Sequence, residues 1–163
     1  MLERTRARRQ ALQILYQREI TEQTAAQILD SRTYSDEDGE PSDYCRDLVL
    51  GAEINGEVID AEIEATSQHW SLMRMPYVDR NILRLAVYEI LFEPEVPDSV
   101  AINEAVEMAK AYGTDDSPKF VNGVLGKIAE MHCDDLETPE RGDRPSIAVA
   151  DADADVTERP EGT

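Results

Sequence analysis

The chain has 163 residues and a formal net charge of −19, from 16 basic and 35 acidic residues. This excess of negative charge excludes binding to nucleic acid over the whole surface, so any such site must be a local cluster of basic residues. Cys45 and Cys133 lack the spacing of a zinc site or a disulfide framework, and no apolar run is long enough to span a membrane.

The first helix carries the most concentrated positive charge in the sequence. Apolar residues recur at helical spacing along this segment, MLERTRARRQALQILYQREI. Four arginines, here called the arginine arm, occupy its first turns: Arg4, Arg6, Arg8 and Arg9. Arginine binds phosphate through two parallel hydrogen bonds, so the arm is a candidate nucleic-acid surface. A solvated helix face and an Arg-rich transit peptide are the alternative interpretations.

A short helix and an acidic loop are predicted next. Residues 21–31 have helical spacing, and Thr24 and Gln27 suit a capping box. Residues 32–41, RTYSDEDGEP, contain acidic and turn-forming residues without periodicity, which predicts a loop.

A long helical region is predicted to begin after Ser42 and to continue to about Trp70, followed by an apolar connection. The region contains Gly51 and Gly56, although glycine costs about 1 kcal/mol relative to alanine inside a helix. We therefore expect another helix to approach closely at both glycines.

Residues 77–92 form a segment that is apolar on nearly all sides, which predicts a helix in the middle of a bundle. Its polar exceptions include Asp79 and a strip at i, i+4 and i+8, formed by Arg80, Arg84 and Tyr88. The strip fits either ion pairs with acidic residues or contact with a partner, and the spacing does not decide between them.

Two further helices are predicted within residues 97–131, joined by a short turn. Gly113 suits a left-handed helix end, and Ser117 suits the N-cap of the second helix. Lys119 and Phe120 then lie beside free N–H groups, a combination that suits a phosphate and a stacked base. Alternatively, Phe120 packs in the core and Lys119 is merely solvated.

After Cys133 the sequence contains ten acids, three arginines and three prolines without a helical stripe. Such a segment cannot bury enough apolar surface to offset the entropy of ordering it. We predict one folded domain over residues 1–133 and a disordered acidic tail over residues 134–163. We expect the tail to compete with RNA for the arginine arm.

The sequence does not predict an enzyme. Glu104 and Glu107 stand at i, i+3, but metal sites in helical bundles also use Glu-x-x-His, which neither His69 nor His132 completes. A Gly-rich phosphate loop and a nucleophile–base pair are also missing from the sequence. We therefore expect no catalysis, no metal and no cofactor.

Three blocks of the sequence resemble, in order, the bacterial transcription antitermination factor NusB family: RTRARRQALQILYQ, VDRNILRLAVYEILF and VAINEAVEMAKAYGTDDSPKFVNGVLGKI. They lie within residues 4–130, and the last block is long and specific. The resemblance implies an all-α fold of six to seven helices in two packed sub-bundles. It also implies a cytoplasmic factor that binds single-stranded boxA RNA of nascent ribosomal RNA leaders and suppresses premature termination.

The same resemblance implies two binding surfaces. The RNA surface falls on the arginine arm and on three residues at the start of the last helix: Asp116, Lys119 and Phe120. A second surface contacts ribosomal protein NusE through Tyr16, Asp79 and Arg84. The complex then joins other Nus factors and RNA polymerase. We expect the two parts of the RNA surface to form one ledge where the first and last helices meet. A helical protein-interaction module without RNA binding is the alternative function.

Overall fold

The protein is all-α over residues 2–68 and 70–135, which are the residues that the computed structural model describes. The helices are α1 Leu2–Thr21, α2 Ala25–Ser31, α3 Asp43–Ile54, α4 Gly56–Thr66, α5 Tyr77–Phe92, α6 Asp98–Tyr112 and α7 Ser117–Asp135, with a 3-10 turn at Leu72–Arg74. The expected all-α fold is confirmed. None of the helices described is long and apolar enough to cross a membrane. The predicted acidic tail lies outside the described residues from residue 136 onward.

α5 lies at the centre of the packing, as its apolar sequence predicts. It contacts α1 and α3 on one hand and α4, α6 and α7 on the other. The first group is completed by contacts among α1, α2 and α3, and the second by contacts of α7 with α4 and α6. Fully buried aliphatic side chains of α5, including Ile82, Leu83 and Ile90, contribute about 1.5–3 kcal/mol each. Two sub-bundles are thus joined through one shared helix.

The capping box of α2 is confirmed, although the helix begins later than predicted. Thr24 Oγ1 accepts from the Gln27 N–H at 3.1 Å, and Gln27 Oε1 accepts from the Thr24 N–H at 2.9 Å. α1 continues to Thr21, so the residues predicted to open the second helix belong to the first helix and to the connection after it.

The predicted long helix after Ser42 is divided in two at Asn55. The Asn55 amide donates to the Gly51 carbonyl at 2.9 Å, which helps to close the end of α3. A Cβ at Gly51 would lie 2.7 Å from the Tyr88 hydroxyl, so the predicted close approach is confirmed there. A Cβ at Gly56 would meet no atom within 4 Å, so the same prediction is wrong for Gly56, which begins α4.

The turn between α6 and α7 differs from the prediction at both ends. Gly113 has φ −97° and is not left-handed, but a Cβ there would lie 2.5 Å from the Ser117 Oγ. Ser117 is the first residue of α7 rather than its N-cap. Its hydroxyl accepts from the Thr114 N–H at 2.9 Å and donates to Asp79 at 2.7 Å. The serine therefore fixes the start of α7 against α5.

Candidate nucleic-acid interface

Arg8, one member of the arginine arm, is buried against α5 with 3% of its surface exposed. Its Nη2 lies 2.9 Å from Glu89 and its Nη1 lies 3.3 Å from Glu104. Burial alone would lower the pKa of Arg8, but the hydrogen bond and charge of Glu89, with the charge of Glu104, raise it above the ordinary value. The expectation that Arg8 contacts phosphate is therefore corrected. Its charge is matched inside the protein, and its role is to hold α1 on α5.

Arg4 is held beside the same cluster but remains accessible. Its guanidinium carbon lies 4.3 Å from the centroid of the Tyr44 ring, within the range of a cation–π contact. Tyr44 in turn donates a short hydrogen bond to Glu89. Burial, followed by this hydrogen bond and the Glu89 charge, raises the pKa of Tyr44. The Arg4 side chain is 42% exposed, and its ion pair with Glu95 is long, at 3.7 Å, and exposed to solvent. Arg4 therefore remains accessible to a phosphate.

Arg9 and Arg6 differ in whether an acidic residue already neutralises them. Arg9 Nη2 lies 2.8 Å from Asp38 of the acidic loop, and this hydrogen bond is the main cause of the raised pKa of Arg9. Gln10 donates to the carbonyls of Asp38 at 2.9 Å and Glu40 at 3.2 Å, which holds the loop against α1. Arg6 is exposed, and no described carboxylate forms an ion pair with it. Within the arm, Arg6 therefore has the least neutralised charge.

The start of α7 presents a cation and an aromatic ring together. Lys119 and Asp116 are exposed, and no described carboxylate forms an ion pair with Lys119. Phe120 is half-buried and packs against the core on one side. Its ring centroid lies 5.5 Å from that of Trp70, with the rings tilted by 40°. Phe120 thus packs on the core and also keeps an accessible surface, which leaves its contact with RNA a prediction.

The arm and the start of α7 lie at different positions along α5, so the expectation that they meet side by side is corrected. Arg8 pairs with Glu89, whereas Ser117 binds Asp79, ten residues earlier on α5. Ten residues of helix correspond to about 15 Å. α1 and α7 each pack on α5 and share no extensive interface. A ligand that touches both parts must therefore extend along the molecule.

Two residues expected on the partner surface are instead engaged within the protein. Asp79 is 6% exposed, and burial raises its pKa although the hydrogen bond from Ser117 partly offsets this. Arg84 lies 2.7 Å from Glu19 and 2.9 Å from Asp60. The expectation that Asp79 and Arg84 contact a partner directly is therefore corrected, and both stabilise the packing of α5.

The rest of the polar strip on α5 follows the same pattern. Arg80 lies 3.5 Å from Glu19 and stacks over the Tyr77 ring at 4.7 Å. Tyr88 donates to Glu93 at 3.3 Å, and burial is the main cause that raises the pKa of Tyr88 to about 12. Of the two interpretations that the spacing left open, the structure supports internal pairing.

Tyr16 is the one expected partner residue that remains accessible, with 42% of its surface exposed. Its ring packs edge-on against Tyr77 at 6.0 Å. Tyr16 also lines an open, largely apolar groove of about 390 Å³ together with Leu12, Val78 and Tyr112. The geometry therefore supports Tyr16 as a contact for an apolar side chain of another protein.

Sequence reasoning missed Trp70, Asp38 and Tyr112, which the fold brings to these surfaces. Trp70 stands only at the end of the predicted long helical region, yet it is 47% exposed beside Phe120. Tyr112 is the last residue of α6, and it lines the groove beside Tyr16. An exposed tryptophan next to a buried Leu72 is not visible from spacing alone.

Metal ligands and reactive thiols do not cluster in the described part of the chain. No group of three His, Cys, Asp or Glu side chains is arranged there to hold a metal ion. Cys45 is buried, and burial raises the pKa of its thiol to about 12, whereas Cys133 is exposed.

Comparison with known proteins finds one matching family and many related sequences. Residues 5–130 match the NusB family. The transcription antitermination protein NusB of Bdellovibrio bacteriovorus is 45% identical over 130 residues, which cover 79% of this chain and 96% of that protein. The NusB protein of Saccharopolyspora erythraea is 43% identical over 143 residues, which cover 87% of this chain and 96% of the relative.

Solved structures agree with the sequence comparison. T. maritima NusB is 42% identical with a TM-score of 0.68, covering 78% of this chain and 90% of that chain. A chain in the crystal structure of antitermination factors NusB and NusE in complex with dsRNA is 30% identical with a TM-score of 0.67, covering 80% of this chain and 98% of that one. The family match includes Arg6, Arg8 and Arg9 of the arginine arm and the start of α7. The chain therefore belongs to the NusB family.

Proposed function

We propose that this chain is a transcription antitermination factor that binds boxA RNA of nascent ribosomal RNA leaders together with ribosomal protein NusE. Membership of the NusB family supports this role, as does the related chain seen with NusE and dsRNA. The observation that carries the proposal is a pair of exposed cations, Arg6 and Lys119, left without ion pairs in a strongly acidic protein. The proposed role is binding and assembly, not catalysis, in the cytoplasm.

The RNA surface acts through phosphate contacts and base stacking. Arg4, Arg6 and Lys119 bind phosphates, which makes the affinity depend on salt because bound cations are released from the RNA. Phe120 stacks on a base, and unpaired RNA is favoured because its bases are free to leave the strand. Arg8 acts indirectly, since its buried ion pair with Glu89 fixes the helix that presents the other arginines.

Asp38 lowers the attraction of the arginine arm for phosphate. Its carboxylate holds Arg9 at 2.8 Å, so Arg9 reaches a phosphate only when it gives up or shares that ion pair. The acidic loop therefore reduces the net attraction of the arm for any polyanion. This favours ligands that make additional contacts over those attracted by charge alone.

NusE is proposed to bind at the groove beside Tyr16. The groove is lined mainly by apolar side chains, and its rim contains the exposed ring of Tyr16. Tyrosine is enriched at protein interfaces because it combines a large apolar ring with a polar tip. Asp79 and Arg84 support this surface from beneath by fixing α5. The complex then joins other Nus factors and RNA polymerase and suppresses premature termination.

The proposal is tested by the anisotropy of a fluorescein-labelled boxA RNA, measured with and without NusE over a series of salt concentrations. Arg6→Gln and Lys119→Gln should each weaken binding and lower the salt slope by about one unit. Lys127→Gln is the matched control, because Lys127 is exposed farther along α7 and should leave the slope unchanged.

Three outcomes decide between the candidate functions. Stronger binding to single-stranded boxA RNA than to a scrambled or double-stranded RNA supports the proposed ligand. Equal binding to the scrambled RNA, or unchanged slopes in both variants, contradicts it. Binding to NusE without any binding to RNA supports a protein-interaction module instead, a possibility favoured by the internal pairing of Arg8 and Arg9.

A further inference from the structure

Trp70 is an exposed aromatic residue for which the functional assignments above give no role. It is the only tryptophan in the chain and lies in the connection between α4 and the 3-10 turn. Its residue surface is 47% exposed, whereas Leu72 and Met75, at the start and just past the end of the 3-10 turn, are 3% and 2% exposed. The connection therefore anchors itself through its aliphatic side chains and leaves the indole ring at the surface.

The main chain around Trp70 is fixed by the end of α4. The Trp70 N–H donates to the Ser67 carbonyl at 2.9 Å, and the Ser67 hydroxyl donates to the Trp70 carbonyl at 3.1 Å. Two residues later, the Leu72 N–H donates to the Glu64 carboxylate at 2.9 Å. A main chain held in this way loses little conformational entropy when a ligand binds at Trp70, which favours affinity.

The indole ring adjoins the proposed RNA surface at the start of α7. Its centroid is 5.5 Å from that of Phe120, and the 40° tilt between the rings is too large for a parallel stack. The two rings therefore form an aromatic corner with part of the indole surface open to solvent. Lys119, which forms no ion pair with a described carboxylate, precedes Phe120 in the same helical turn.

We propose that Trp70 is a base-stacking residue, which extends the RNA surface from the first turn of α7 onto the connection after α4. The inference rests on the proposed function, because it takes the ligand to be RNA. Every base has a face that stacks on an aromatic ring, and single-stranded RNA leaves those faces available. Lys119 binds the neighbouring phosphate, while Trp70 and Phe120 hold successive bases.

The test combines two signals from the full-length chain. The anisotropy of a labelled single-stranded boxA RNA reports binding, and the emission of the single tryptophan, recorded with unlabelled RNA and without NusE, reports contact at Trp70. Emission is compared at RNA concentrations where the anisotropy shows saturation. We expect RNA to quench the emission of the wild-type chain.

Substitutions distinguish stacking from a structural role. Trp70→Leu keeps an apolar side chain but removes the ring, and it should weaken binding by about 5- to 100-fold. Trp70→Phe should stay within about threefold of wild type, since phenylalanine also stacks. Both variants should keep the wild-type salt slope, because no cation is removed, whereas Lys119→Gln should lower it by about one unit. Ile54→Ala, which truncates a side chain that is 80% exposed on α3, should change neither affinity nor emission.

The possible failures identify which proposal is wrong. If wild-type chain binds RNA but its emission is unchanged and Trp70→Leu binds equally well, the inference about Trp70 is overturned and the proposed function stands. If Trp70→Leu and Trp70→Phe weaken binding equally, the ring is not a stacking surface. If the wild-type chain does not bind RNA with or without NusE, the proposed function itself fails.

Discussion

At the scale of single residues, the fold gives different roles to arginines that look alike in the sequence. Arg6 and Arg8 are two positions apart on α1, so they point to opposite sides of a helix that turns about 100° per residue. Arg6 is exposed, while Arg8 continues the stripe of Ala11, Leu12 and Leu15 that packs inward. The stripe was visible in the sequence, but its buried partner Glu89 is 81 residues away and was not.

Asp116 provides a charge test of the RNA surface. It is exposed three residues before Lys119, so its carboxylate repels a phosphate bound there. Asp116→Asn should raise the affinity for boxA RNA by about two- to fivefold at low salt, measured by anisotropy. Glu130→Gln removes one negative charge from an exposed position near the other end of α7 and should have a smaller effect. Weaker binding of Asp116→Asn would mean that this carboxylate contacts the RNA or caps α7.

Asp79 provides a pH test of the buried hydrogen bond. Because its pKa is raised in the folded state, the folded protein binds more protons than the unfolded chain at pH values between the two pKa values. The contribution of Asp79 to the free energy of unfolding is therefore lost as the pH rises through this window. Asn keeps an acceptor for Ser117 and does not titrate.

Asp79→Asn should consequently gain stability relative to wild type as the pH is raised from about 4 to 7. Urea denaturation at several pH values measures the difference between the two proteins, and subtraction removes the effect of shared groups such as Glu93. If Asp79→Asn instead loses stability relative to wild type as the pH rises, the pKa of Asp79 is not raised by folding.

At the scale of elements, α5 was predicted with its observed bounds because its own sequence determines them. Pro76 precedes it, Pro94 follows it, and the residues between are apolar on most sides. The division of the predicted long helix into α3 and α4 was missed. Asn55 and Gly56 are weak breaks that a longer helix tolerates. In the structure α3 packs on α1, α2 and α5, whereas α4 packs on α5 and α7.

Gly51 and Gly56 form a matched pair for testing close helix approach. Gly51→Ala should destabilise the protein by about 1–3 kcal/mol, because its Cβ would displace the Tyr88 ring that stacks on Phe92. Gly56→Ala has open space and should be neutral or stabilising by up to about 1 kcal/mol. The free energy of unfolding from urea titration measures both. Equal effects of the two substitutions would mean that the Tyr88 ring can move away from the new Cβ without lowering the free energy of unfolding.

At the scale of the whole molecule, the local signals predicted the fold class but not the geometry of the binding surface. Capping by Ser42 and the Thr24–Gln27 pair depends on neighbours a few residues apart, so the sequence reveals it. The burial of Arg8, the Asp38–Arg9 pair and the exposure of Trp70 depend on how helices meet. Such contacts are not encoded in any local period.

The acidic tail allows a test of long-range electrostatics. Residues 136–163 lie outside the described structure and contain eight acids and three arginines. Deleting them should raise RNA affinity at low salt, and the effect should fade as salt shortens the screening length to about 10 Å at 0.1 M. A tail of equal length with its acids replaced by amides should behave like the deletion. Unchanged affinity in both variants at low salt would show that the acidic tail does not affect RNA binding.

The internal use of arginines has a consequence for how the protein chooses its ligands in a crowded cell. Arg8 and Arg9 already pair with carboxylates, so only Arg4 and Arg6 of the arginine arm remain accessible to an RNA phosphate. With so few phosphate contacts, we expect encounters with unrelated transcripts to be brief. A second protein that adds its own contacts to the RNA would then lengthen the lifetime of the complex. We therefore expect stable binding to require both the correct RNA and the correct partner protein.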